Sequence, residues 1–191
     1  MRIVIDMQGA QSASRSRGIG RYTLSLAQAI VRNRGEHEVV LALSGLLPET
    51  IEPIRASFDG LLPQSSIRVW SAPGPVRECL EGSTSNRAAA ELIREAFLKS
   101  LKPDIIYVSS LFEGYIDDAV TSIGVLDQTT PTVVTLYDLI PLQNPTHYLL
   151  PLPAYERHYL RKIEYLKRAS AWLGISNFSK PCERLASFKR P

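Results

Sequence analysis

Arg2-Ile3-Val4-Ile5-Asp6, then a polar stretch, then Gly18-Ile19-Gly20-Arg21-Tyr22-Thr23: these residues decide how the chain is read. Ile3–Ile5 is a short apolar run that ends on a carboxylate, the pattern of a buried strand. Ile19, Tyr22, Leu26 and Ile30 then recur at helical spacing, and Asn33-Arg34-Gly35 supplies the residues that stop a helix. A strand that feeds a helix through a glycine-bearing loop is how a nucleotide-handling α/β domain opens.

The same alternation continues outward. Glu38–Leu43 predicts a second strand and Glu49–Phe58 a helix, with Pro48 just ahead of it. Ile67–Trp70 is a third strand. Ser71–Ser85, with Pro73, Gly74, Pro75 and Gly82, is a loop. Asn86–Leu101 predicts a helix with Ala89, Leu92, Ile93, Ala96 and Phe97 on its inward stripe, capped by Ser83 or Ser85. Strands follow at Asp104–Val108 and Thr132–Leu136. Pro153–Ala169 predicts a helix with Tyr155, Tyr159, Ile163 and Leu166 inward, and with Arg157, Arg161, Glu164 and Arg168 on a solvated face. Ala171–Ile175 is a sixth strand, and a last helix starts near Lys180. Short β-rich runs alternating with helices imply a parallel sheet covered on both faces. Ligands of such sheets sit at the carboxyl ends of the strands, which directs attention to the loops 7–18, 109–115, 137–150 and 176–179.

Composition narrows the classes. A chain of 191 residues fits one domain and can bury roughly 70% of its unfolded surface, so neither a disulfide nor a metal is needed for folding. The net charge of +3 comes from scattered basic residues, short of the dense stripe that nucleic acid requires. Cys79 and Cys182 lie far apart and read as ordinary thiols of a reduced, cytoplasmic protein. No apolar run is long enough to span a membrane, and the N-terminus lacks the pattern of a signal peptide.

Four loops offer chemistry. Free N–H groups at the start of the first helix, approached closely because Gly18 and Gly20 have no side chain, would accept a phosphate; the alternative is that both glycines only permit a turn and tight packing. The run departs from a dinucleotide fingerprint, since the third glycine is missing and Ala42, Leu43 and Ser44 stand where a ribose-binding acid belongs. Asp138 at the end of the fifth strand either accepts a hydrogen bond from a sugar hydroxyl or caps the following turn. Glu113, after the fourth strand, is either a substrate ligand or an exposed loop charge. Ser176, after the sixth strand, either binds a substrate oxygen or caps the next helix. His37, His147 and His158 show no metal-ligand spacing, and neither a P-loop lysine nor a Gly-x-Ser-x-Gly elbow occurs.

Together these stretches resemble one family. Arg17-Gly18-Ile19-Gly20-Arg21-Tyr22 behind the opening strand looks like the start of a family-4 glycosyltransferase of GT-B type, in particular the bacterial mannosyltransferases of O-antigen and other surface polysaccharides. Tyr137-Asp138-Leu139-Ile140-Pro141 resembles the family's His-Asp-Leu-Ile-Pro segment, and Ile175-Ser176-Asn177-Phe178-Ser179 its strand-end serine motif. The resemblance implies two Rossmann-like domains facing a cleft. Residues 1–191 would form the N-terminal, acceptor-side domain, and the domain that binds the nucleotide sugar, GDP-mannose or a similar donor, would lie outside this chain. It implies no cofactor and no required metal. The amides of Gly18 and Gly20 would reach the donor diphosphate, with Arg21, Glu113 and Ser176 as further substrate-binding residues. Tyr137 and Asp138 would line the acceptor pocket as the catalytic pair, Tyr137 standing where the family has His. The implied partners are a glycan or lipid-linked sugar acceptor and the missing donor domain, with peripheral association of the full enzyme at the inner face of the membrane. A non-catalytic binding or assembly domain of the same fold, and an oxidoreductase domain that binds a nucleotide cofactor, stay open as alternatives.

Overall fold

A computed structural model describes residues 1–175. Six strands, β1 (Arg2–Asp6), β2 (Glu38–Ser44), β3 (Ile67–Trp70), β4 (Ile105–Val108), β5 (Thr132–Leu136) and β6 (Ala171–Gly174), form one all-parallel sheet in the order β3-β2-β1-β4-β5-β6. This is the Rossmann-like arrangement that the alternation predicts. The helices are α1 (Gly18–Arg32), α2 (Ile51–Ser57), α3 (Thr84–Ser100), α4 (Ile140–Gln143), α5 (Pro145–Tyr148) and α6 (Pro153–Leu166). The predicted helix near Lys180 lies outside the described residues.

Strand periodicity divides the core in two. Val4, Val40, Ala42, Ile106 and Val108 pack with Leu98 of α3 and with Tyr159, Ile163 and Leu166 of α6. Their neighbours Ile5, Val39, Leu41, Leu43 and Tyr107 face the other side, against Ala27 and Val31 of α1 and Ile54 of α2. Successive strand residues point to opposite faces, so strands apolar at nearly every position are what a sheet covered on both sides requires.

Two helices turn differently from the predicted stripes. On α1 the buried positions are Gly20, Thr23, Ala27 and Val31, while Tyr22 remains 37% exposed. The inward face is thus set by small residues that let the helix lie close to the sheet. On α3 the buried positions are Ala90, Glu91, Arg94, Glu95 and Leu98, whereas Leu92 and Ile93 are exposed. The reason lies in residues 109–131. They join β4 to β5 with no helix or strand of their own, yet much of the segment is buried. Backbone groups buried without a regular ladder need side-chain partners. Arg94 donates to the Ser122 carbonyl at 3.0 Å, and Glu95 accepts from the Ser122 hydroxyl at 2.6 Å and the Leu126 N–H at 2.6 Å. Lys162 of α6 donates to the carbonyl and hydroxyl of Thr121. Burial pushes the Lys162 ammonium down to about 7. Ser83 occupies the N-cap position of α3, but its hydroxyl donates to the Arg77 and Leu80 carbonyls and caps nothing.

Candidate functional site in the crevice between β1 and β4

Strand order reverses between β1 and β4, and the crevice outside their carboxyl ends is where such sheets hold ligands. Three segments meet there: residues 7–17 after β1, the 109–131 segment after β4, and the residues after β5.

The floor is held from Asp6, the last residue of β1. Its carboxylate accepts from the Gln8 N–H and amide, both at 3.1 Å, and from Arg94 Nε at 2.7 Å. The Gln8 side chain also pairs both ways with Val120, donating to its carbonyl and accepting its N–H at 2.7 Å. Gly9 sits where no side chain fits: a Cβ would stand 2.6 Å from Thr23 Oγ1 and 3.0 Å from Ser109 Oγ. The loop after β1 is therefore pressed against both α1 and the loop after β4.

The glycine pair separates into two roles. Gly18 opens α1 and is exposed, and an added Cβ would meet nothing within 4 Å. A Cβ at Gly20 would lie 2.2 Å from the Arg15 carbonyl oxygen, so Gly20 is required for close passage of the preceding loop. Neither has positive φ, so neither is required for a left-handed backbone. The helix start carries no side-chain cap and no acid in its first turn, but the Gly20 N–H donates to the Ser14 carbonyl at 3.2 Å. Against the expectation that both glycine amides reach a phosphate, the dipole and the first amides at Gly18 and Ile19 are what it offers an anion. Arg21 is exposed on the same turn.

Tyr137 follows β5 and is half-buried. Its hydroxyl lies 3.4 Å from the Ile19 carbonyl, 3.3 Å from the Ser109 carbonyl and 3.5 Å from Thr23 Oγ1. One phenolic proton is shared between two carbonyl acceptors. Burial raises the Tyr137 pKa, so it is a neutral phenol at physiological pH. Tyr22 meets it edge-on, with ring centroids 5.8 Å apart. Thus the helix start, the strand-end tyrosine and the loop after β4 converge, as the sequence motifs anticipate.

Asp138 is exposed, and one carboxylate oxygen accepts the Ile140 N–H at 3.1 Å. The turn-capping geometry is therefore present, and its second oxygen accepts no bond among the described residues. The Asp138 charge raises the pKa of Tyr155 after the larger effect of burial, which places the two near one another.

Glu113 corrects one sequence reading. It is not an exposed loop charge but 8% exposed. Its carboxylate accepts from Ser110 Oγ at 2.9 Å and Ser14 Oγ at 3.1 Å, with Ser12 as a third hydroxyl partner. Burial raises its pKa more than these bonds lower it, and no cation pairs with it among the described residues. The sequence showed the acid but not its serine cage, because Ser12 and Ser14 come from a loop about a hundred residues away. Ser176 lies outside the described residues.

The face of α6 expected to be solvated is also partly engaged. Glu78 accepts from Arg161 at 2.9 Å and from His158 Nδ1 at 2.7 Å. Burial alone would raise the Glu78 carboxyl, but those bonds bring it down to about 2. No cluster of three metal-ligating side chains occurs among the described residues, and none of their helices is long and apolar enough to cross a membrane.

No protein-family model matches the chain. It is 36% identical over 177 residues, 92% of its length, to a serotype-specific mannosyltransferase WbdA of Escherichia coli. Two further Escherichia coli proteins of the same description are 33% and 32% identical over 152 residues, 79% of this chain. The matched stretches make up 21% and 18% of those proteins, so the chain spans about a fifth of the length of the curated relatives it matches. The resemblance carried by Arg17–Tyr22 and by residues 137–141 is thus joined by similarity along most of the chain to serotype-specific mannosyltransferases.

Proposed function

We propose that the chain is the acceptor-binding domain of a nucleotide-sugar-dependent glycosyltransferase that transfers a hexosyl group, mannosyl on this reading, in cell-surface polysaccharide synthesis. The observation that carries the reading is the contact between the Tyr137 hydroxyl and the Ile19 carbonyl. It brings the two stretches that bear the resemblance to one crevice at the carboxyl ends of the strands. There the uncapped start of α1 at Gly18 faces the donor diphosphate when a second domain closes, and Arg21 adds a positive charge. The second oxygen of Asp138 accepts a hydroxyl of the acceptor sugar, and the Glu113 cage fixes the loop beside it. The donor, GDP-mannose or a similar nucleotide sugar, is held mainly by that further domain, and no metal is required. On the same reading the full enzyme works in peripheral association with the cytoplasmic face of a membrane.

The test uses the 191-residue chain. Mannose oligosaccharides should perturb the amide resonances of residues 18–22 and 137–139, while calorimetry with GDP-mannose shows no tight site. A micromolar site for GDP-mannose on this chain would overturn the assignment. In the longer enzyme, Asp138→Asn removes a charge-assisted bond of about 1.5–3 kcal/mol and should lower kcat/KM by about ten- to a hundredfold, leaving donor affinity unchanged.

A second reading, a binding or assembly domain without catalysis, is favoured by one observation. The Tyr137 hydroxyl is committed to backbone carbonyls and held neutral, so it cannot titrate as a histidine would.

A further inference from the structure

A second concavity lies away from the crevice. It is a groove of about 960 Å³ bounded by Glu78, the first turn of α3 and the outer face of α6, a size typical of small-ligand sites. Four arginines line it: Arg87 from α3, and Arg157, Arg161 and Arg168 along and just beyond α6.

Two of the three acids that line the groove, Glu78 and Glu164, are already committed; the third, Glu156 at the start of α6, has no ion pair among the described residues. Glu78 takes the close bonds of Arg161 and His158. Arg87, whose side chain is only 12% exposed, reaches Glu78 at 3.6 Å and Ser83 Oγ at 3.5 Å, both too far for a strong bond. Glu164 pairs with Lys167 at 3.0 Å. Arg168 is held by the carbonyls of Ile123 and Gly124 and lies over the Tyr165 ring. Three guanidinium groups of the groove lining therefore keep donors without a close acceptor. Arg157 has no ion pair among the described residues, Arg87 has only distant partners, and Arg161 Nε is buried with no hydrogen-bond partner. Burying a donor without an acceptor is costly. A cluster of such donors on fixed forks fits a ligand that offers acceptor oxygens alone. The first turn of α3 adds no competing acid and no side-chain cap, and Thr84 at its start lines the same groove.

We propose that the groove between α3 and α6 binds a phosphate or diphosphate group through Arg87, Arg157 and Arg161. Both helices begin at the carboxyl-end side of the sheet, since each follows a parallel strand. The phosphate is either that of a soluble phosphorylated sugar or that of a lipid.

The test reads the arginine Nε–H resonances of the 191-residue chain during titration with inorganic pyrophosphate. Saturable shifts of Arg87, Arg157 and Arg161 are expected. Arg157→Ala, at an exposed position, should weaken binding by roughly tenfold or more. Arg87→Lys, which keeps the charge and loses the fork, should also weaken it, and Arg32→Ala on α1 should not. Co-sedimentation with phosphatidic acid vesicles, against phosphatidylcholine alone, separates the sources. Sedimentation that depends on Arg157 identifies a lipid phosphate; pyrophosphate binding without it identifies a soluble one. Absence of both responses, or binding indifferent to both Arg157→Ala and Arg87→Lys, overturns the proposal.

Discussion

The Arg94 guanidinium donates through Nε, at 2.7 Å, to the Asp6 carboxylate, and both side chains are 99% removed from solvent. This pair locks the end of the central strand to α3, and the remaining guanidinium donor holds the Ser122 carbonyl of the irregular segment after β4. The crevice floor thus depends on a buried charge pair rather than on apolar packing.

Arg94→Met should therefore be severely destabilising. It leaves the Asp6 carboxylate buried without its cation, a loss of about 3–5 kcal/mol. Urea denaturation should show this, and the double variant Asp6→Asn with Arg94→Met should recover part of it. Equal loss in the single and double variants would mean that packing, not charge, is the issue.

Glu78 carries a pH dependence of definite sign. Its folded pKa lies at about 2, below the ordinary 4.5, as the His158 and Arg161 bonds overcome the cost of burial. The unfolded chain therefore binds more protons between these values, and stability falls as the pH drops from 4.5 toward 2. Glu78→Gln should flatten that acid limb. Melting temperatures from pH 5 to 2.5 decide the matter, and an unchanged slope would remove Glu78 from the account.

Glu113 has the opposite sign. Burial raises its folded pKa above 4.5, so the folded chain binds more protons just above that pH and loses stability as the carboxyl ionises. Gln can still meet the hydroxyls of Ser14 and Ser110, which rotate to accept from its amide. Glu113→Gln should hold stability at pH 7 and remove the decline above pH 4.5. A large loss at every pH would show that the carboxylate itself is required for the fold.

The two glycines at the start of α1 should respond differently to alanine. At Gly20 the Cβ would stand 2.2 Å from the Arg15 carbonyl oxygen, so Gly20→Ala displaces the loop and should cost about 1–3 kcal/mol. At Gly18 the Cβ meets nothing, and Gly18→Ala should leave stability unchanged or raise it by up to about 1 kcal/mol. Thermal melts compare them directly. Similar losses at both would contradict the division between a packing glycine and an open one.

The sequence by itself determined the parallel α/β sheet, because strands apolar on both faces cannot be stable unless helices cover both sides. It also pointed to the loops at the carboxyl ends of the strands, among which the structure brings Tyr137 against the start of α1. Tertiary structure decided what periodicity could not. The stripe of Ala89, Leu92, Ile93, Ala96 and Phe97 was a reasonable inward face for α3, yet the helix turns Arg94 and Glu95 inward instead. The irregular 109–131 segment beneath it needs hydrogen-bond partners more than it needs apolar surface, and nothing local to α3 records that need. Likewise, an acid in a loop looks exposed until Ser14, 99 residues away, closes over Glu113. Arg157, Arg161, Glu164 and Arg168 look solvated until Glu78 meets Arg161 across 83 residues. Local spacing fixes which element forms; the charge partners that decide which face turns inward come from distant parts of the chain, brought close only by the fold.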